Sequence, residues 1–301
     1  MPASALMIAA TFLFATMGVC VKLASSQYDA GEIVMYRGIV GVLMIGLMAR
    51  AHGLSLRTSV PGMHFWRSLS GVCALSLWFY SISQLPLATA MTLNYMSSVW
   101  MALFLIGGAV MLGTAKVDSR LVAAVLLGFV GVALVLRPTI DQQQAWHGLA
   151  GLLSGMLSAL AYLQITALGR AGEPEYRIVF YFSLGGAIAG GLTTAVLHFA
   201  RHTTEFHGHD ARGLGLLFAV GVLATVAQLM MTRAYGRGRT LVNASLQYLG
   251  IVFSSIYGAW LFHDRMSLSA LAGIALIIGA GLAATLLRSR VEPSPHAVSE
   301  S

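Results

Sequence analysis

The chain has 301 residues, of which 57% are hydrophobic and only 10% are charged, and its mean hydropathy is +0.78. A soluble domain carries roughly a quarter charged residues, so this composition excludes a water-soluble fold and favours a chain dissolved mostly in lipid. The formal charge of +7 does not indicate nucleic-acid binding, because the 18 lysines and arginines are scattered singly among apolar blocks.

Ten apolar runs are long enough to cross a membrane as helices, for which roughly twenty residues are needed. The sequence therefore predicts an all-α polytopic membrane protein with ten transmembrane helices. The last residues, 289–301, are polar, contain two prolines and are expected to be disordered. The predicted spans are 4–24, 32–50, 66–84, 87–112, 119–137, 148–169, 177–200, 212–234, 240–262 and 267–288.

The basic residues predict the orientation, since lysine and arginine in short loops stay in the cytoplasm. Twelve lie on one side of the predicted spans and four on the other, while Lys22 and Arg37 lie inside spans. Both termini are therefore expected in the cytoplasm, with span 1 retained and not cleaved as a signal peptide. Cys20 and Cys73 lie within spans and indicate packing instead of a disulfide or metal site.

An internal duplication divides the chain into 1–138 and 139–288. Tyr36-Arg37 at the start of span 2 recurs as Tyr176-Arg177 at the start of span 7, and Asn94 to Ser97 aligns with Gln247 to Gly250. Each unit has five spans, and an odd number places the second copy upside down relative to the first. Two inverted halves predict a transporter that works by alternating access, with a site near the midplane.

Enzyme and metal signatures are weak. The sequence contains no HExxH, GxSxG or GxxxxGK[ST] motif and no paired carboxylates inside a span, which argues against an enzyme. His198, His202, His207 and His209 could form a metal site or simply a polar outer loop, and the loop is favoured. All eleven acidic residues lie in loops, in the tail or at span ends, which favours a facilitator over proton exchange.

Polar and aromatic side chains within the spans predict a substrate cavity. On span 9, five residues follow helical spacing and form one polar stripe: Asn243, Gln247, Gly250, Ser254 and Tyr257. Each candidate could instead make an interhelical hydrogen bond or a packing contact, but the convergence of several helices favours a cavity. The other candidates are Trp78, Tyr80, Asn94, Tyr95, Ser97, Tyr162, Gln164, Gln228 and Tyr248.

Such a cavity would be apolar and aromatic, with amides and hydroxyls but no fixed counter-charge. It suits a small amphipathic solute better than a phosphorylated one, which would call for a lysine or arginine at depth. Lys22 and Arg37 are expected near the outward ends of spans 1 and 2. They either extend to the interface or form a gate, with Glu32 as a partner.

Several segments resemble the drug/metabolite transporter superfamily in its ten-helix EamA-type branch. Phe14 to Lys22 resembles the family's first helix ending in lysine, and Arg37 stands where the family has its helix-2 arginine. Tyr80 to Ala88 resembles the junction of helices 3 and 4, while Ser158 to Tyr162 is similar to a segment of the second half. The family often has proline midway along helices 4 and 9, where this chain has Ser97 and Gly250.

Within the family, the chain most resembles YddG-type exporters of aromatic and other neutral amino acids. The resemblance implies a multi-pass protein of the bacterial inner membrane, a small-molecule substrate, and no cofactor, metal or nucleic acid. Two alternatives remain open: a drug or nucleobase exporter of the same fold, or a membrane sensor or scaffold that transports nothing.

Overall fold

The computed structural model describes residues 2–111, 142–201, 209–237, 246–264 and 267–289, together with 123, 126–128, 130, 131, 134, 242 and 243. Every regular element in these ranges is an α-helix. The helices are α1 (Ala3–Ala24), α2 (Ala30–Ala51), α3 (Pro61–Gln84), α4 (Leu87–Tyr95), α5 (Ser97–Met111), α6 (Gln142–Arg170), α7 (Glu175–Arg201), α8 (Ala211–Arg237), α9 (Leu249–Leu261) and α10 (Leu268–Ser289).

The all-helical prediction is confirmed, and five helices, α1, α2, α6, α7 and α8, contain stretches long and apolar enough to cross a membrane. Most of predicted span 5 and nearly all of the predicted tail lie outside the described residues. The full set of ten spans remains a prediction.

Local sequence explains where several helices begin. Helix α2 begins with a capping box, in which the Glu32 carboxylate accepts the backbone N–H of Asp29 at 3.1 Å. Helix α3 has Pro61 at its first position, where the missing N–H costs nothing. It ends before extended Leu85, because the residue preceding Pro86 is sterically kept out of helical geometry.

Predicted span 4 is two helices that meet at Met96, directly before Ser97. The second half has a matching interruption at Gln247 and Tyr248, a turn that precedes α9. Both breaks fall within the two segments that the sequence duplication aligns, Asn94 to Ser97 and Gln247 to Gly250, one to two positions apart in that alignment.

Each of the helices α1–α4 packs against a helix from the second half of the chain. Helix α1 packs on α8 and α3 on α6, while α2 packs on α7 and α4 on α9. Exchanging α1 with α6, α2 with α7, α3 with α8 and α4 with α9 maps this set of contacts onto itself. Glycines permit the closest approach: a methyl group at Gly38 would overlap the backbone of Ala187, and one at Gly190 would meet the backbone of Met35.

Candidate functional site

A cavity lies in the interior of the bundle where seven helices and the turn before α9 converge. About 600 Å³ of space not filled by protein atoms lies in the cavity and in front of its mouth, open solvent included. Its walls combine apolar, aromatic and polar side chains, and two of the lining residues are arginines. The lining residues are Met7, Thr11, Phe14, Met17, Arg37, Arg67, Gly71, Ala74, Leu75, Trp78, Asn94, Tyr95, Ser158, Ala161, Tyr162, Phe182, Gln228 and Gln247.

The two arginines share one aromatic ring. The guanidinium carbon of Arg37 lies 4.9 Å from the centroid of the Phe182 ring, and that of Arg67 lies 4.2 Å from it. Arg37 is about 10 Å along α2 and Arg67 about 9 Å along α3, measured from their first residues at 1.5 Å per residue. Consecutive helices run in opposite directions, so the two arginines enter the cavity from opposite sides of the bundle.

Both guanidinium groups are buried without a protein counter-charge among the described lining residues. Arg37 is 4% exposed and Arg67 is 2% exposed. Nε of Arg37, and Nε and Nη1 of Arg67, have no hydrogen-bond partner in the described part of the chain. No described residue that lines the cavity is acidic. Cation–π contact with Phe182 compensates only part of the lost hydration.

This result corrects the sequence-based expectation of a cavity without fixed charge. The sequence analysis does not place Arg67 in the cavity, because residue 67 falls at the very start of predicted span 3 (66–84) and is counted among the basic residues of the cytoplasmic side. Helix α3 begins five residues earlier at Pro61, so Arg67 lies in its second turn. One sequence feature agrees with this position of Arg67: Gly71 follows it by one helical turn. In the structure, a methyl group at Gly71 would overlap Nη1 of Arg67.

Six of the predicted substrate-binding residues line the cavity together with Arg37: Trp78, Asn94, Tyr95, Tyr162, Gln228 and Gln247. Asn94 Nδ2 donates to Ser154 Oγ at 2.6 Å and to Ser158 Oγ at 3.2 Å, which fixes the amide across α4 and α6. Tyr162 stacks on Tyr235, with ring centroids 5.3 Å apart.

Several polar atoms of these cavity residues are buried without a partner in the described ranges. They are Trp78 Nε1, the Tyr95 hydroxyl, Gln228 Nε2 and Gln247 Oε1. Buried polar atoms normally find partners, so these four atoms are available to a bound solute.

The other predicted residues lie outside the cavity lining. Tyr80 is exposed and contacts the ring of His147. Gln164 Oε1 accepts the Ser70 hydroxyl at 2.8 Å, and Asn243 Nδ2 donates to the carbonyl of Ala234 at 2.6 Å. Four predicted residues remain. Ser97 and Tyr248 are buried. The Ser254 hydroxyl donates a hydrogen bond to the Ile251 carbonyl of its own helix, and the Tyr257 hydroxyl is hydrogen-bonded to that of Thr16.

The three predicted gating residues occupy different surroundings. Lys22 Nζ donates to the carbonyl of Leu85 at 2.6 Å and lies 5.6 Å from the centroid of the Phe262 ring, which ties α1 to the end of α3. Glu32 belongs to the capping box of α2. Arg37 lies in the cavity, deeper than the sequence predicted.

A buried ionic cluster that the sequence did not predict joins the α2–α3 and α6–α7 loops. Glu173 accepts hydrogen bonds from His64 Nε2 at 3.0 Å, from Arg177 Nη1 at 3.1 Å and from the Thr58 hydroxyl at 3.0 Å. Burial acts to raise the pKa of Glu173, but the hydrogen bonds from His64, Arg177 and Thr58 outweigh it and hold the pKa below its ordinary value. Arg177 also donates to the carbonyl of Ser55.

The predicted histidine group can be followed only in part. His209 lies between two tyrosines, with Nε2 2.9 Å from the Tyr36 hydroxyl and Nδ1 3.1 Å from the Tyr28 hydroxyl. His202 and His207 lie outside the described residues, as does the side chain of His198. In the described ranges, no group of three or more His, Cys, Asp or Glu side chains could hold a metal ion.

Comparison with known proteins identifies the family. A family model described as the EamA-like transporter family matches residues 1–137. The pseudopaline exporter CntI of Pseudomonas aeruginosa is 33% identical over 276 residues, which cover 91% of this chain and 92% of that protein. The chain belongs to the EamA-like transporter family. The resemblance to this branch of the drug/metabolite transporters is therefore confirmed, and the chain is a transporter and not an enzyme.

More distant relatives extend over nearly the whole chain. The riboflavin transporter of Brucella anthropi is 23% identical over 92% of this chain and 95% of its own length. A solved crystal structure superposes with a TM-score of 0.67 at 19% identity, covering 97% of this chain and 99% of that one. Because transporters are among the relatives and several helices are apolar, the protein is a multi-pass bacterial membrane protein with a small-molecule substrate.

Proposed function

We propose that the protein exports small amphipathic metabolites that carry a carboxylate, neutral and aromatic amino acids among them, by alternating access. The observation that carries this proposal is the interior cavity, where aromatic rings adjoin two buried arginines. Trp78 and Tyr162 line the cavity and provide aromatic surface for a substrate ring. Arg37 and Arg67 are suited to hold its carboxylate through charge-assisted hydrogen bonds. Export as the direction is supported by the relative from Pseudomonas aeruginosa, which is named as an exporter.

Alternating access is supported by the paired helix contacts. A set of contacts that maps onto itself when α1–α4 are exchanged with α6–α9 is what two inverted five-helix units would produce. The matching interruptions at Met96 and Gln247 lie beside the cavity and supply irregular backbone where a substrate would bind. We therefore propose two inverted repeats, 1–138 and 139–288.

Contacts at both ends of the bundle could serve as gates. Lys22 binds the end of α3 on one side, and the Glu173 cluster joins two loops on the other. The excess of basic residues on the Glu173 side supports a cytoplasmic location for that side and for both termini. In an alternating-access cycle these two sets of contacts would break in turn.

Counterflow in proteoliposomes tests the proposal. Purified protein should accelerate exchange of labelled phenylalanine or tryptophan. Trp78→Ala and Gln247→Leu should each lower the initial rate of exchange about tenfold or more, because both residues line the cavity. Trp260→Ala is the matched control, since Trp260 is 73% exposed on α9 and should leave the rate unchanged.

The outcomes separate the competing functions. Exchange of nucleobases or cationic drugs without exchange of amino acids would favour the alternative exporter. If no small solute exchanged in the presence of correctly inserted protein, a sensor or scaffold would replace the transporter proposal. Equal loss of rate in Trp260→Ala and Trp78→Ala would remove the cavity from the mechanism.

A further inference from the structure

The pair of buried arginines indicates more than the single carboxylate of an amino acid. We infer that the preferred substrate is a small organic dianion, with two negative charges on carboxylate or phosphate oxygens and an apolar or aromatic carbon skeleton. This inference rests on the proposed function and specifies its substrate class.

The first step is a count of charge. Arg37 and Arg67 bring two positive charges to the Phe182 ring, and no described lining residue carries a negative one. Like charges that lie close together in a site of low dielectric destabilise each other, and removal from water adds a further cost. A zwitterionic amino acid has no net charge, so it would leave both positive charges in the cavity. A dianion neutralises them.

The acidic residues elsewhere in the described chain do not alter this count. They lie at helix ends or in loops, and the most buried of them have other partners. Glu32 caps α2, and Glu173 is bonded to His64 and Arg177. An ammonium group in the cavity would therefore find two cations and no described carboxylate lining its site.

The second step is the balance of hydrogen-bond donors and acceptors. The buried atoms without partners in the described cavity are mostly donors: three guanidinium nitrogens, Trp78 Nε1 and Gln228 Nε2, with the Tyr95 hydroxyl able to act either way. Gln247 Oε1 is an acceptor. A substrate rich in acceptor oxygens satisfies this set, whereas one rich in N–H groups does not.

The third step concerns the carbon skeleton. Met7, Phe14, Met17 and Leu75 form an apolar wall of the same cavity. A bare inorganic anion would leave this wall in contact with water or empty space. An organic skeleton that carries the two anionic groups would cover it and gain from its burial.

The experiment compares ligands that differ in charge and little else. Binding to the wild-type protein in nanodiscs at pH 8 is measured for phenylsuccinate, its monomethyl ester, phenyl phosphate and phenylalanine. Phenylsuccinate should bind at least about tenfold more tightly than its monoester, since one charge-assisted hydrogen-bonding interaction is lost. Equal affinity of diacid and monoester would overturn the inference. Tighter binding of phenyl phosphate would identify phosphate as the anionic group and would still support a dianion site.

Substitution of the arginines tests whether they bind the two anionic groups of the substrate. Arg37→Gln and Arg67→Gln should each weaken phenylsuccinate binding about 10- to 100-fold. Each should also bring the affinities of diacid and monoester within about threefold, a change in selectivity that misfolding does not produce. Arg50→Gln is the control, because Arg50 is exposed near the end of α2 and does not line the cavity. An unchanged preference for the diacid in both variants would contradict the assignment.

The two proposals can fail separately. Phenylalanine counterflow that phenylsuccinate does not inhibit would overturn the dianion inference and leave the transporter proposal standing. Tight, arginine-dependent binding of phenylsuccinate without any flux would support the site and contradict transport.

Discussion

Gly71 leaves open the space in which the Arg67 guanidinium lies. The Arg67 side chain runs along α3 across the position that a Cβ at residue 71 would occupy, and the ring of Phe182 lies 3.0 Å from that same position. A methyl group there would therefore push the guanidinium away from both the glycine and the ring.

We expect Gly71→Ala to weaken substrate binding about tenfold or more while the protein still inserts and folds, since the rest of α3 is unaffected. Gly62→Ala on the same helix is the matched control. No atom of the described residues lies within 4 Å of a Cβ at Gly62, so this change should be neutral or slightly stabilising. Ligand-binding isotherms for the two variants check the prediction, and equal affinities would show that Arg67 does not depend on the glycine.

At the residue scale, the sequence predicted the amides and aromatic rings of the cavity better than its charges. Trp78, Asn94 and Gln247 stand out as polar or aromatic side chains in apolar helices, so helical spacing could find them. Arg67 is adjacent to the predicted start of its span and was interpreted as a topology signal. Phe182 is one apolar residue among many, and only the packing of α7 against α2 and α3 shows that it lies between two arginines.

At the scale of elements, the loops on the proposed cytoplasmic side are joined through one carboxylate. Glu173 lies between α6 and α7, has a side chain that is only 4% exposed, and contacts His64 of α3, Thr58 and Arg177. Its removal would leave buried donors without partners. Glu175, two residues later, makes a longer and more exposed pair with Arg233 at 3.6 Å.

Glu173→Gln should therefore lower the free energy of unfolding by about 1–3 kcal/mol at pH 7. Glu175→Gln should change it by less than about 1 kcal/mol, because an exposed ion pair contributes little. Chemical denaturation in detergent micelles measures both values, and a loss of similar size in the two variants would contradict the assigned role of the cluster.

The pH dependence of the same variant has a definite sign. The pKa of Glu173 in the folded protein lies below its ordinary value of 4.5, so the folded state binds the proton less readily than the unfolded state. The stability that the carboxylate contributes is complete above about pH 4.5 and is lost as the pH falls through the folded value. The difference between wild type and Glu173→Gln should shrink accordingly, whereas a constant difference down to pH 3 would show that ionisation is irrelevant.

The elements themselves follow from local sequence more directly than their breaks do. Hydropathy predicted spans 1, 2, 6, 7 and 8, and their helices begin and end within a few residues of those limits, except that α6 begins six residues early. The interruption at Met96 carries neither proline nor glycine at its own position. Beside it, Tyr95 reaches Gly250 of α9, and a methyl group at that glycine would come within 2.5 Å of the Tyr95 hydroxyl. Such a contact between the halves has no signature in either segment alone.

At the scale of the whole molecule, the charge of the substrate determines what drives export. The cavity has no described carboxylate to carry a proton, which supports the proposed facilitator. A facilitator that moves a dianion out of the cell also moves two negative charges out of an interior held at negative potential. Each charge contributes about 2.3 kcal/mol per 100 mV, so two contribute about 4.6 kcal/mol. The membrane potential alone could then make export of a dianion thermodynamically favourable.

This reasoning predicts a dependence on potential that differs between substrates. Proteoliposomes are loaded with labelled phenylsuccinate or labelled phenylalanine, and valinomycin with a potassium gradient sets the interior negative. A larger fraction of the phenylsuccinate should leave than at zero potential, and a smaller fraction should leave when the potential is reversed. The fraction of phenylalanine that leaves should not change, because a zwitterion carries no net charge. A pH gradient imposed without a potential should leave both final distributions unchanged, since the facilitator couples to no proton. Uphill movement driven by the pH gradient would show that a proton accompanies the substrate, and its carrier would have to be a group outside the described lining of the cavity.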